Sequence, residues 1–443
     1  MIVKGSRRKR SRIALASLAG VSLLSLAACS SSKSSSTPPT SGASSPTTST
    51  GGGTLLSPLK VTGGTISGQG VTANTITVGD IATVTGTQPG VFQGANDGMD
   101  AWAAYVNAAG GIDGHQVKVV HLDDANDCNT FKASLKQLAT TVFAGVGSFS
   151  VQDSCAAAVL KNYPNFPYIP GLTLSPTINS LSNVYTPAAA PVTGFPTTIY
   201  NYVKSKFPNA ITHAAALELG PPVLIKDAAG SLGYKFVYQR VYPTTETSFL
   251  SDILRMKADG VQIVDMQYSD VNYPTMFLQE AAQQNYHPDA VIATAPYDSN
   301  FLKLLGNPSL ASNLYVMVKS ALWLNGTDRA TNPAVNTFLT WMDRAKPGVK
   351  PTIYAQYAWS AAGLFLQAMH NAGPQITQTS LLSALSQIGS FDDSGFLPAN
   401  DPSPRTSKGS PCIVVAGIVN GQRARLNPPS GFDCDGTWHL FNG

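Results

Sequence analysis

Charge is what this sequence has least of: Asp, Glu, Lys and Arg make up 12% of its 443 residues, against roughly 25% in ordinary soluble domains. So few charges exclude a long charged coiled coil and a charged disordered chain. Catalytic signatures are missing too. There is no G-x-S-x-G elbow, no H-E-x-x-H and no G-x-x-x-x-G-K-[ST] loop, and Gly145-x-Gly147-x-x-Ser150 lacks the last glycine of a dinucleotide fingerprint. The six histidines (His115, His121, His213, His287, His370, His439) stand singly, and Cys128 and Asn129 break the calcium-loop spacing after Asp123, Asp124 and Asp127. Those three acids read as a strand end followed by solvated loop acids. No catalytic residue, metal site or cofactor is expected, although two carboxylates brought together by folding need no sequence motif.

What is present begins with 39 glycines, 30 prolines and a hydrophobic fraction of 43%, a composition that fits a globular exported protein. The formal charge of +4 comes from the start of the chain. Residues 1–70 hold eight basic groups (Lys4, Arg7, Arg8, Lys9, Arg10, Arg12, Lys33, Lys60) and no acid, which leaves 21 basic against 25 acidic groups in the remainder. A folded part with net charge −4 lacks the basic patch that nucleic acid requires.

Lys4–Arg12 followed by the apolar stretch 13–28 reads as a secretory leader, too short and too interrupted to span a membrane. Its end, Leu26-Ala27-Ala28-Cys29, resembles the lipobox of bacterial lipoproteins. That resemblance implies cleavage before Cys29, a lipid on its thiol, and anchorage to the outer face of the cytoplasmic membrane. Residues 29–70 are Ser, Thr, Gly and Pro with few large apolar groups, so they read as a disordered tether. The four later cysteines contain no C-x-x-C pair, and in an exported chain they favour disulfides over zinc. Three pairings are open; the sequence-local one, Cys128 with Cys155 and Cys412 with Cys434, is expected here.

Periodicity organises the rest. Strand-like runs at 76–82, 117–122 and 144–147 alternate with helical stripes carried by Met99, Trp102 and Val106 and by Leu135, Leu138 and Val142. The same alternation restarts with strands at 212–219, 235–241, 261–267 and 291–295, and helices at 249–258 and 273–284. The fold class expected is α/β: two Rossmann-like lobes with parallel sheets. Three hinge crossovers are expected near 185–194, 293–296 and 391–404, so that 71–190 plus about 297–395 form lobe 1 and 191–296 plus about 396–443 form lobe 2.

Three segments carry a family resemblance: the strand Ile76-Thr77-Val78-Gly79-Asp80, the run Tyr105-Val106-Asn107-Ala108-Ala109-Gly110-Gly111-Ile112-Asp113-Gly114, and the strand end Leu122-Asp123-Asp124-Ala125. They resemble the first lobe of the type I periplasmic binding proteins of the branched-chain amino acid ABC-transporter family. The resemblance implies a substrate-binding protein that closes two lobes on an amino acid or similar small polar solute and hands it, chemically unchanged, to ABC importer membrane subunits. It also implies where the solute sits. Ser148, Phe149 and Ser150, ahead of a helix from 151 to 160, match the segment that holds the ligand carboxylate through serine and main-chain N–H groups. Leu172 and Thr173 match the segment that contacts the head group, and Glu246 matches loosely a carboxylate that pairs with an α-ammonium.

Tyr268, Asp270 and Tyr297 follow strand ends, where open α/β sheets bind ligands, and complete the expected ligand-binding set. A ligand sensor of the same fold and a secreted hydrolase are the alternative readings.

Overall fold

The computed structural model describes residues 64–440 except 87–88, 91, 174, 189–193, 220–224, 244, 268–270 and 406–408. The leader, most of the tether, the lipidation candidate Cys29, Tyr268 and Asp270 lie outside the described residues.

The longer β1 (Thr75–Ala82) and β2 (Gln116–Asp123), and the short, wholly buried β3 (Ala144–Val146) and β4 (Tyr168–Ile169), form one four-stranded parallel sheet in the order β2-β1-β3-β4. Between them run α1 (Gln93–Ala108), which buries Met99, Trp102 and Val106, and α2 (Cys128–Thr141), which buries Leu135 and Leu138. Asp127 starts α2 by accepting the Thr130 N–H at 2.8 Å. Asp124, expected in solvent, is fully buried; its carboxylate accepts the Asn126 N–H at 2.8 Å and the Ser150 hydroxyl, so it organises the loop from inside.

After a short strand β5 (Gly194–Pro196) and the helix α3 (Thr198–Lys206), the chain builds a second sheet. Strands β6 (Ala214–Leu219), β7 (Phe236–Tyr242), β8 (Ile263–Asp265) and β9 (Ala290–Ala293) pair in parallel, with helices α4 (Leu250–Ala258) and α5 (Asn272–Gln283) between them. β10 (Leu314–Val318) then pairs in parallel with β9. Residues 297–318 therefore stay with the second sheet instead of returning to the first lobe at 297, and the second crossover falls after Val318, not at 293–296. A fully apolar five-residue strand needs both faces covered, and the sheet supplies that.

The chain next adds α6 (Pro333–Ala345) and α7 (Ile353–Asn371), both packed on α1. The approach of α1 to α7 is close: a side chain on Gly98 would come within 2.2 Å of the Ala355 carbonyl oxygen. The chain returns through residues 388–413 to β11 (Val414–Val419) and β12 (Gln422–Asn427), which extend the second sheet antiparallel in the order β12-β11-β10-β9-β8-β6-β7. Finally β13 (Trp438–Leu440) pairs with β5. Both expected disulfides, Cys128–Cys155 and Cys412–Cys434, are formed.

The folded body starts earlier than the expected tether end at Gly70. Thr65–Ile66 pair in parallel with Gln375–Ile376, and Ile66 is buried. One apolar core spans the crossovers, where rings follow one another from Tyr297 to Trp323 (5.4 Å), Phe338 (6.0 Å) and Trp359 (5.5 Å).

Candidate functional site

The carboxyl ends of β1, β3 and β4 lie side by side. Ala82 bridges Phe149 in parallel, and the Gly171 N–H donates to the Ser148 carbonyl at 3.0 Å. This is the edge at which open parallel sheets hold ligands.

Ser148 and Ser150 lie on that edge with their hydroxyls committed to the protein. Ser148 Oγ accepts the Ile81 N–H at 3.0 Å and bonds the buried Tyr168 hydroxyl. Ser150 donates to Asp124, and its Oγ accepts the Gln152 N–H at 2.9 Å. The helix expected from 151 to 160 is broken into a 3-10 turn at Asp153–Cys155 and a single turn at Ala157–Leu160. The acid at that turn is the chain's own Asp153, whose Oδ2 accepts the Ser175 N–H at 3.1 Å. Of the N–H groups at that end, the one on Gln152 is taken by Ser150.

Thr173 is different. It is 2% exposed and, among the described residues, its Oγ1 has no hydrogen-bond partner; Thr83, just past the end of β1, is 1% exposed with Oγ1 likewise unpartnered among them. A buried hydroxyl without a partner costs free energy unless something else satisfies it. Leu172, between Gly171 and Thr173, packs half-buried against the core.

Aromatic rings flank this edge. Phe149 stands 4.9 Å from Phe92, 4.7 Å from Tyr354 and 6.1 Å from Tyr357, stacked on the last. The Tyr357 Cβ lies 3.0 Å from where a side chain on Gly171 would begin, and burial pushes the Tyr357 phenol up to about 12. Phe92, Tyr354 and Tyr357 were not among the sequence candidates. Their one sequence signal is the i, i+3 pair of tyrosines opening α7, just after the Thr352 cap.

In the second half, Glu246 does not stand free: it pairs with Arg240 and accepts the Thr247 N–H at 3.2 Å. Tyr297 is buried, and its hydroxyl accepts the Leu324 N–H at 2.9 Å, bracing the second crossover. Gln267, two residues past β8, is 1% exposed, and among the described residues neither its side-chain amide oxygen nor its nitrogen has a partner. Nearby, Asp265 accepts the Tyr200 hydroxyl at 2.7 Å, and burial raises its carboxyl to about 7.

Among the described residues no group of three or more His, Cys, Asp or Glu could hold a metal ion, and no helix is long and apolar enough to cross a membrane. What the sheet edge offers is buried hydroxyls without hydrogen-bond partners among the described residues, on Thr83 and Thr173, and a cluster of aromatic rings around Phe149.

A family model described as periplasmic binding protein matches residues 75–422. The chain belongs to that family. This periplasmic binding protein is a solute-binding protein and not an enzyme, and its family places it outside the cytoplasm. Its architecture is the type I fold that the resemblance implied.

Solved structures share that fold at low identity. The branched-chain amino acid transporter substrate binding protein LivJ from Streptococcus pneumoniae, in complex with isoleucine, is 18% identical with a TM-score of 0.63, covering 80% of this chain and 100% of its own. The leucine binding protein LivK from Thermotoga maritima is 12% identical, TM-score 0.62, covering 79% and 97%. A fatty acid ABC transporter substrate-binding protein from Thermomonospora curvata is 14% identical, TM-score 0.64, covering 83% and 94%. No curated protein matches the sequence.

Proposed function

We propose that this chain is a lipid-anchored receptor of an ABC importer that captures an amino acid, or a similar small solute with a polar head and an apolar body, by closing its two halves. The observation that carries the reading is the Thr173 hydroxyl, buried past the end of β4 and without a hydrogen-bond partner among the described residues, two residues after Gly171, against which Tyr357 packs. Thr83 supplies a second hydroxyl, and Gln267 a buried amide from the other sheet, so a guest bonded to both halves would favour the closed form by its differential affinity. Ser148 and Ser150 act in this reading by shaping the backbone of the edge. Tyr268 and Asp270 follow Gln267 directly and are retained as candidates from the second half, whereas Glu246 and Tyr297 serve as structural braces. A lipid on Cys29 would keep the receptor near its importer.

Thermal unfolding tests it. The purified protein should melt higher in the presence of its solute, by RT ln(1 + [L]/Kd) in stability. A panel of branched-chain and aromatic amino acids, amides, ureas and short fatty acids that leaves the midpoint unmoved would reject the solute class.

A further inference from the structure

Three crossovers meet around a small cavity that the solute site does not use. Its walls are Pro187 and Ala188 from the first, Lys319 from the second, and Leu397, Asn400 and Ser410 from the third, and its volume is about 20 Å³. That is room for one water-sized occupant. Among the described residues no carboxylate lines it.

Lys319 is the first residue after β10, partly buried, with no hydrogen bond or ion pair among the described residues. Its ammonium lies 4.8 Å from the ring centroid of Trp438, whose face softens the loss of water but supplies no counter-charge. Burial alone pulls the Lys319 pKa down, to about 8, so the side chain is mainly protonated at pH 7. Ser410 adds a second donor: its Oγ accepts the Cys412 N–H at 3.4 Å, which leaves its O–H to give. A buried cation is stable when paired. Among the described residues, the groups facing it are the Trp438 ring, a hydroxyl, an amide and apolar walls.

We propose that this cavity binds a water-sized inorganic anion, for which chloride is the probe, held by the Lys319 ammonium and the Ser410 hydroxyl. Because its walls come from all three crossovers, the anion fastens the segments about which the two halves move. None of the residues assigned to the solute is among the described walls of this cavity, so chloride can be tested without any solute.

The unaltered chain is melted at fixed ionic strength while sodium gluconate is replaced by sodium chloride. A saturable upward shift, about 1 °C when chloride is about five times its Kd, is expected, and Lys319→Met should abolish it. No chloride-specific shift, or an equal shift in Lys319→Met, overturns the proposal. Crystals of the unaltered chain grown in bromide decide the matter even if Lys319→Met fails to fold. Anomalous density within hydrogen-bonding reach of Lys319 Nζ supports the site, and bromide found only elsewhere overturns it.

Discussion

His121 Nδ1 stands 2.6 Å from Oδ1 of Asp80, a carboxylate with no exposed surface, in the middle of the first sheet. Its other ring nitrogen lies 2.9 Å from Asp100, which also pairs with Lys346 at the end of α6. Burial pulls the imidazole pKa down, but the bonds to Asp100 and Asp80 outweigh it and hold the value at about 10. The folded pKa is thus above the unfolded value of about 6.5. The contribution is complete below pH 6.5 and is lost as pH rises through 10, at most about 1.4 kcal/mol per pH unit in between. Denaturant unfolding at pH 6.5 and 9.5 should show this loss in the parent, and His121→Gln should be less stable at pH 6.5 with a flatter dependence. Equal slopes in both would remove His121 as the source.

Thr173→Val keeps the shape of the side chain and deletes the unpartnered hydroxyl. Solute affinity should fall about tenfold or more, while the solute-free protein melts at the same temperature or higher, because a buried hydroxyl lacking a partner is gone. Calorimetric titration and a melting curve read the two effects. A variant that binds as well as the parent places the head group elsewhere.

Glu246→Gln leaves the proposed site intact and weakens only the pairing with Arg240, which also contacts the buried Asp252 at 2.8 Å. Solute affinity should change less than about twofold. A tenfold loss by the same titration would return Glu246 to the binding set.

Phe149→Ala removes a 6%-exposed ring from contact with Phe92, Tyr354 and Tyr357. The protein should lose about 3–5 kcal/mol of stability, measured by denaturant unfolding. Phe149→Leu should recover much of that loss yet bind a solute with an apolar body less tightly.

The alternation of strands and helices was legible in the sequence because each α/β crossover buries an apolar strand and one helical stripe, as Met99, Trp102 and Val106 do on α1. β10 was missed for a physical reason. Its run 314–318 follows a stretch with two short helical turns, Phe301–Leu305 and Pro308–Ala311, where a return to the other half looked equally natural. At the candidate site, residue types pointed to strand ends, and Thr173 lies past one of them, β4. Which atom each hydroxyl bonds was not legible: Ser148 reaches back to Ile81 and Ser150 across to Asp124, pairings that only the folded loops create. Tyr357 reaches the same edge from a helix far along the chain, and no local pattern could announce that.

The two disulfides each stitch within one neighbourhood: Cys128–Cys155 joins the start of α2 to the turn after β3, and Cys412–Cys434 joins the approach to β11 to the segment ahead of β13. Among the described residues no covalent strap runs from one sheet to the other. A reducing milieu would therefore loosen the surroundings of each sheet separately, and under the proposed closure no disulfide among the described residues would lock one half to the other.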